Sequence, residues 1–291
     1  MRKKILLIAN PAAGRGGAGK IRQAQRFLGT AGRQVELYLT SGPGDATAAA
    51  ARAGSGGYDL VVAAGGDGTL NEVVAGLAPS NIPLAYLPLG TTNVFALETG
   101  IPFDIGRACA IALQGAPRPI CLGRAGRSIF LNMAGVGFDA RVVVGVNLGL
   151  KRLGGKFAYI WSGLVAWCGW RPEPIEIVPE NGPAQRGYGA IVSNGRYYGG
   201  RFSITPGASP LADRLDVCLF KRGRRPDFLN YAWRIALGRP LEPPAVSRFT
   251  ARRLTIRGNG VPVQVDGDYL GTLPMDFEAV FGEITMILPD G

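Results

Sequence analysis

The run Gly65-Gly66-Asp67-Gly68-Thr69-Leu70-Asn71-Glu72 constrains this chain more than any other stretch. It follows the apolar segment Asp59-Leu60-Val61-Val62-Ala63-Ala64 and leads into helix-like sequence ending at Leu77, so it reads as a strand-to-helix turn. Three glycines allow a sharp bend and let successive backbone N–H groups approach a polyphosphate at a helix N-terminus. Asp67 lies inside that loop, where a carboxylate repels phosphate unless a cation such as Mg²⁺ lies between them. An ordinary turn of this type needs fewer glycines and no acid among them.

The flanking sequence extends the pattern. Strand signals at Lys4–Ala9, Gln34–Thr40, Leu60–Ala64 and Pro83–Leu87 alternate with helix signals at Lys20–Leu28, Asp45–Ala53, Asn71–Gly76 and Ile105–Leu113. This alternation predicts an α/β domain with a parallel sheet covered on both faces. Ligands of such sheets bind outside the carboxyl ends of the strands. The glycine loops after the first and third strands, and Gly90-Thr91-Thr92-Asn93 after the fourth, all fall at that edge.

After Pro117-Arg118-Pro119 the character changes. Short β-rich runs follow at Ser128–Asn132, Ile175–Val178, Gly189–Ser193, Leu215–Phe220, Arg253–Arg257, Val261–Val265 and Ile284–Leu288. Broken by Gly, Pro and Asn, they predict an antiparallel sandwich or barrel. The expected division is an α/β nucleotide-binding domain over residues 1–120 and a β-sandwich domain over 121–291. The last few residues are free to return to the first domain. One helical stretch, Phe157 to Trp170, interrupts the β-rich part.

Composition narrows the chemistry. Histidine is absent, which excludes Ser-His-Asp and Cys-His catalysis and any His-ligated metal. Cys109, Cys121, Cys168 and Cys218 are scattered with no CxxC pair, so neither a disulfide framework nor a zinc site is expected. No apolar run reaches the roughly 18 residues of a membrane span, and the basic start Met1-Arg2-Lys3-Lys4 precedes too short an apolar core for a signal peptide. A cytoplasmic location is expected. The net charge of +11 favours an anionic partner. Nucleic acid fits poorly, because the basic residues are dispersed and carry no interleaved aromatics. The densest cluster, Lys221-Arg222-Gly223-Arg224-Arg225, suits a solvated loop or a membrane surface.

Two familiar patterns at the first loop fail on inspection. Gly14-Arg15-Gly16-Gly17-Ala18-Gly19 satisfies GxGxxG, but Asn10-Pro11-Ala12-Ala13 separates it from the strand, and Glu36 is placed mid-strand. Gly14 to Lys20 also spells GxxxxGK, yet Ile21 stands where a Walker loop needs Ser or Thr. A glycine-rich, basic loop suited to a nucleotide is what survives.

Asn10-Pro11-Ala12-Ala13-Gly14, the GGDGTLNE run, Leu87-Pro88-Leu89-Gly90-Thr91-Thr92-Asn93 and Gly135-Val136-Gly137-Phe138-Asp139 occur in that order. Together they resemble the diacylglycerol kinase catalytic-domain family, which includes sphingosine kinases and bacterial lipid kinases. Asn194-Gly195-Arg196-Tyr197-Tyr198-Gly199-Gly200 and Gln264-Val265-Asp266-Gly267-Asp268 also look like its bacterial members. The related NAD kinases share GGDGT, but Asn71-Glu72 and Gly90-Thr91-Thr92-Asn93 fit the lipid kinases better.

The resemblance implies an ATP- and Mg²⁺-dependent kinase acting on a lipid hydroxyl, peripheral at the inner face of a membrane. It implies nucleotide binding by Asn10, Pro11, Gly14, Thr40, Gly66, Asp67, Gly68, Thr69, Leu70, Asn71, Glu72 and Thr91, with Asp67 positioning the Mg²⁺–ATP. It further implies that Asp213 and the carbonyl of Leu215 bind Mg²⁺, although Arg214 replaces the usual glycine. Asp268 matches the general base, one methylene shorter than the family's Glu. Cys121 stands where many members carry an aspartate, and a thiol cannot replace a hard oxygen ligand for Mg²⁺. Asp139 is a partial substitute or a strand-end cap. The helical stretch from Phe157, with Lys151, Arg152 and Lys156 before it, suits either a lipid-facing lid or a buried helix. Two alternatives stay open: an NAD kinase-like enzyme, and a lipid- or nucleotide-binding protein without turnover.

Overall fold

The computed structural model describes residues 2–147 and 171–290. The stretch from Phe157 to Trp170 and Cys168 lie outside them. The strand signals become one end of a sheet, with β2 at its edge: β1 (Lys4–Ala9), β2 (Gln34–Leu39), β3 (Leu60–Gly65) and β4 (Leu84–Pro88) pair in parallel in the order β2-β1-β3-β4. Strands buried on both faces are expected to be apolar throughout, and every residue of β3 and β4 is buried. Helices α1 (Gly17–Leu28), α2 (Asp45–Ala51), α3 (Ala53–Gly56), α4 (Asp67–Leu77), α5 (Val94–Thr99) and α6 (Ile105–Gln114) complete the α/β layer. The core pairs Ile5, Leu7 and Ile8 of β1 with Leu28 of α1, Leu70 and Val73 of α4, and Ile105 of α6.

The Pro117-Arg118-Pro119 segment, where the sequence changes character, is itself extended. It lies within β5 (Ala116–Ala125), which runs antiparallel to the long last strand β18 (Met275–Leu288). Proline removes a backbone donor, so a strand tolerates it only where that N–H has no partner. Pro117 and Pro119 are exposed, and on its other edge β5 meets β6 (Ser128–Phe130) only from Gly123 onward. Strand β18 joins the two halves of the molecule. Its Met286 pairs in parallel with Leu84 of β4, while Met275 to Glu278 pair with β15 (Arg253–Arg257). Strands β8 (Ile175–Pro179) and β9 (Gln185–Gly187) extend the same sheet beyond β15.

A second, six-stranded sheet faces this extension. Its order is β14-β13-β10-β7-β16-β17, formed by β7 (Met133–Val136), β10 (Ala190–Ser193), β13 (Leu215–Phe220), β14 (Val246–Ala251), β16 (Pro262–Val265) and β17 (Asp268–Thr272). Phe130, Ile177, Ile256 and Phe277 from one sheet and Val192, Leu215, Val217 and Val263 from the other form a common core, as in a β-sandwich. A parallel α/β layer plus an antiparallel sandwich is the predicted fold class.

Helix α7 (Phe138–Asn147), the short pair β11 (Tyr197–Tyr198) and β12 (Phe202–Ser203), and a helix over Arg225–Ala236 were not signalled by the β-rich reading. Phe228, Tyr231 and Ile235 of that last helix pack with Phe220 and Val246 in a third apolar cluster. The helical spacing of these side chains was the available signal. The Lys221–Arg225 cluster is therefore the approach to a helix rather than a plain loop.

Candidate active site

Three loops meet at the carboxyl edge of the parallel strands. Gly14, at φ +61°, sits so close to Leu89 that a side chain there would strike its carbonyl oxygen. A Cβ on Gly90 would lie 2.6 Å from the Cα of Gly66. The loops after β1, β3 and β4 are thus in mutual backbone contact, and glycine is required by that approach. Asn10 holds its own turn by accepting from the Ala12 N–H at 2.9 Å, and its amide reaches the Thr69 hydroxyl at 3.4 Å. Thr40 N–H donates to Ala9 at 2.9 Å, which brings the end of β2 to the same edge. Glu72 accepts from the Ala46 N–H at 3.2 Å and so caps α2. Pro11, Gly14, Gly68 and Thr91 are exposed around this cradle, while Leu70 is buried beneath it. The first turn of α4 presents N–H groups that lack intrahelical acceptors, the arrangement that favours phosphate.

Asp67 is committed to the scaffold. Its oxygens accept from the N–H groups of Val94 at 2.9 Å and Phe95 at 3.1 Å, pinning the start of α5 against the start of α4. Burial pushes its carboxyl above the usual carboxylate range, and the two N–H donors oppose that shift. Asn93 makes this turn possible from the left-handed region, at φ 48°, with its amide donating to Gly90 at 2.8 Å. The buried Tyr86 hydroxyl donates to the Asn93 side-chain oxygen at 3.1 Å. Each carboxylate oxygen of Asp67 keeps a second lone pair that could still face a cation carried by a bound nucleotide.

The sandwich delivers its contribution through a two-residue hairpin. Val265 pairs with Asp268, and Asp266 and Gly267 between them have φ of 47° and 93°. Positive φ at both central positions matches the right-handed twist of the flanking strands. In the sequence Asp266 is only one residue of the matching run Gln264–Asp268, yet in the fold its side chain fastens three segments together. Its carboxylate accepts from Asn71 at 2.8 Å, Leu131 at 2.6 Å, Asn132 at 3.0 Å and Met133 at 2.9 Å. Burial raises its pKa, opposed by these same donors. The hairpin is thereby fastened to α4, with Asp268 exposed at the residue that follows its turn. Glu98 makes a parallel link, accepting from Arg196 N–H at 2.8 Å and Nε at 2.9 Å.

Asp213 and Leu215, the metal pair implied by the resemblance, lie at the start of β13. Asp213 forms an ion pair with Arg252 at 2.8 Å, and Leu215 is buried in the sandwich core with its backbone paired to Ala251. Cys121 is close enough for Asp213 to perturb it; burial first, and then that carboxylate, push the thiol up to about 11. The Cys121 thiol offers Mg²⁺ no hard oxygen ligand. Among the described residues no group of three or more acidic, Cys or His side chains is gathered for a metal. Asp139 is not a strand-end cap. It lies in the first turn of α7 and accepts from Tyr198 and from Gln264, the latter at 2.6 Å.

An apolar cavity of about 270 Å³ opens beside this polar group, lined by Phe138, Ile191, Ile204, Phe220, Phe228 and Ile235 with Asp139 and Tyr198 among its walls. Glycine loops closing on one another at the edge of the parallel sheet and an apolar cavity in the adjoining sandwich fit the class of a phosphotransferase. Comparison with known proteins makes the assignment specific. Residues 4–125 match the diacylglycerol kinase catalytic domain, and residues 132–288 match the YegS C-terminal NAD kinase beta sandwich-like domain. The chain is 32% identical to the diacylglycerol kinase of Bacillus subtilis (strain 168), covering 99% of this chain and 97% of that protein. It is 34% identical to a probable lipid kinase YegS-like of Pseudomonas putida, covering 93% and 91% of the two. A crystal structure of a putative diacylglycerol kinase from Bacillus anthracis str. Sterne superposes with a TM-score of 0.80 at 26% identity, over 99% of this chain and 98% of that one. The chain belongs to the diacylglycerol kinase family and is a kinase. An NAD kinase from Archaeoglobus fulgidus shares the fold at a TM-score of 0.53 and 14% identity.

Proposed function

We propose that this protein transfers the γ-phosphoryl group of ATP to a hydroxyl of a lipid such as diacylglycerol or a sphingoid base. The carrying observation is the Asn71–Asp266 hydrogen bond of 2.8 Å, which ties the acceptor-side hairpin to the helix that begins at the phosphate cradle. ATP is held by the loops of Asn10 to Gly14, Gly66 to Glu72 and Thr91, with backbone N–H groups of α4 facing its phosphates. Mg²⁺ accompanies the nucleotide and neutralises phosphate charge when bound. Asp67 is the carboxylate on that side of the cleft. Asp268 accepts the proton of the lipid hydroxyl as the new P–O bond forms, a step in which a positioned base contributes roughly 10²–10⁴-fold. The bonds at Asp67 and Asp266 keep these parts in register, and positioning supplies most of the rate in phosphoryl transfer.

The apolar cavity receives part of the lipid chain, and its walls of Phe and Ile distinguish chains poorly. Among the described residues no helix is long and apolar enough to cross a membrane. With a charge of +11 the protein works from the cytoplasm, peripherally on an anionic inner membrane face. The test is transfer of ³²P from [γ-³²P]ATP to lipids in mixed micelles: diacylglycerol, monoacylglycerol, sphingosine, ceramide and phosphatidylglycerol, with NAD as the competing acceptor. A labelled lipid is expected. Label on NAD alone, or ATP bound without transfer to any acceptor, would contradict the proposal.

A further inference from the structure

The helix over Arg225–Ala236 is apolar on two faces. Phe228 and Tyr231 are buried against the sandwich, as a surface helix requires. The opposite face of a soluble helix carries charge, but here Leu229, Trp233 and Leu237 follow one another at four-residue intervals. They are 49%, 65% and 49% exposed. Three large apolar side chains in one exposed stripe exceed the scatter of single surface hydrophobics that folded proteins tolerate.

What lies around the stripe identifies its partner. Arg222, Arg224 and Arg225 stand exposed at the N-terminal end of the helix and Arg239 beyond its C-terminal end, with Asp227 the helix's single acid. A stripe of Leu and Trp framed by arginines is the pattern of an interfacial helix lying on anionic lipid. The stripe is also continuous with the acceptor cavity. Ala232, Ile235 and Ala236 of the same helix and the exposed Phe202 line that cavity.

We infer that the Leu229/Trp233/Leu237 face, with its flanking arginines, is the surface by which this kinase docks on an anionic lipid bilayer, presenting the cavity mouth to the membrane. The inference rests on the lipid-acceptor reading for the meaning of the cavity, but docking itself is measured without turnover. Its test is sedimentation of the full chain with phosphatidylcholine vesicles, with and without a phosphatidylglycerol fraction. The wild type is compared with Leu229→Gln/Trp233→Gln and with Arg222→Gln/Arg224→Gln, each checked for an unchanged melting profile. Phosphoryl transfer to a soluble short-chain diacylglycerol is measured alongside.

The wild type is expected to sediment with the anionic vesicles, and each double variant to lose roughly tenfold or more of that partitioning. Short-chain turnover is expected to be retained, since none of the four side chains lines the cavity. Wild-type sedimentation that is absent, or that survives Leu229→Gln/Trp233→Gln unchanged, overturns the inference. Concentration-dependent self-association abolished by the same variant also overturns it and makes the stripe a contact between copies. Vesicle binding that behaves as expected, without turnover of any lipid, would support the docking face while contradicting the kinase chemistry.

Discussion

Asn71 donates to the carboxylate of Asp266 over 2.8 Å, across 195 residues of sequence. That bond and the three backbone N–H groups of Leu131, Asn132 and Met133 make one carboxylate the meeting point of α4, the β6–β7 connection and the β16–β17 hairpin. Asp266→Ala removes the acceptor from four donors, three of them backbone groups with no other role in the cleft. Hydrogen bonds to charged groups contribute about 1.5–3 kcal/mol each, and orphaned donors add to the cost. The expected loss is on the order of 3 kcal/mol for Asp266→Ala and clearly less for Asn71→Ala, read as a shift in the urea midpoint at constant slope. Equal, small losses for both variants would contradict the central place given to Asp266.

Gly90 makes a sharper probe of the cradle. Its substitution by Ala puts a methyl 2.6 Å from Gly66 Cα and 2.7 Å from the Asn93 side-chain oxygen. The first is backbone and cannot swing away, so the loops after β3 and β4 must separate. ATP affinity measured by calorimetry is expected to fall at least tenfold, about 1.4 kcal/mol, while the far-ultraviolet spectrum stays native. An unchanged Kd would place the nucleotide elsewhere.

The pH dependence of stability reports on Asp139. Burial pushes its carboxyl above the ordinary range, against the donors Tyr198 and Gln264. The folded form therefore binds this proton more tightly than the unfolded chain does. Its contribution is complete below the unfolded value of about 3.9 and is lost as pH rises through the higher folded value. Asp139→Asn, which has no proton to lose, is expected to gain on the wild type as pH rises from about 4 toward neutrality. A difference in urea midpoint that moves the other way would refute the raised value.

Arg252 balances the charge of Asp213 at 2.8 Å, so a Mg²⁺ reaching that carboxylate without nucleotide would have to displace the guanidinium. Adding MgCl2 or EDTA to the nucleotide-free protein is expected to leave the melting temperature unchanged. Arg252→Gln is expected to cost less than about 1 kcal/mol, as for other exposed ion pairs. Stabilisation of the nucleotide-free wild type by Mg²⁺ would show a metal site that Arg252 does not replace.

Much of the α/β half was legible in the sequence, because apolar strands, glycine loops and helices recur there in order and β1, β3 and β4 are short and almost wholly buried. Its short helix α5 was hidden by Asn93, which reads as a turn and does adopt a left-handed backbone before the helix begins. The proline pair at 117 and 119 marks the change to β-rich sequence, yet both prolines lie within a strand. Only the pairing with β18, some 160 residues later, shows that those missing N–H groups face an open edge. Residues that act through distant partners were read least well. Asp266 is one residue of a matching run in the sequence, and only the fold places Asn71 and Met133 around it. The helix Arg225–Ala236 was obscured by the arginines that precede it, although its inward residues carry the helical period.

The most direct test is single-turnover phosphoryl transfer from ATP to dioctanoylglycerol by the wild type and Asp268→Asn, with ATP affinity measured on the same samples. Asp268 is exposed, so the fold is expected to persist in the variant, and ATP affinity with it. The account predicts phosphorylated lipid from the wild type and a transfer rate about 10²-fold or more lower in the variant, with ATP affinity within about twofold. Equal transfer rates in the two proteins would contradict it.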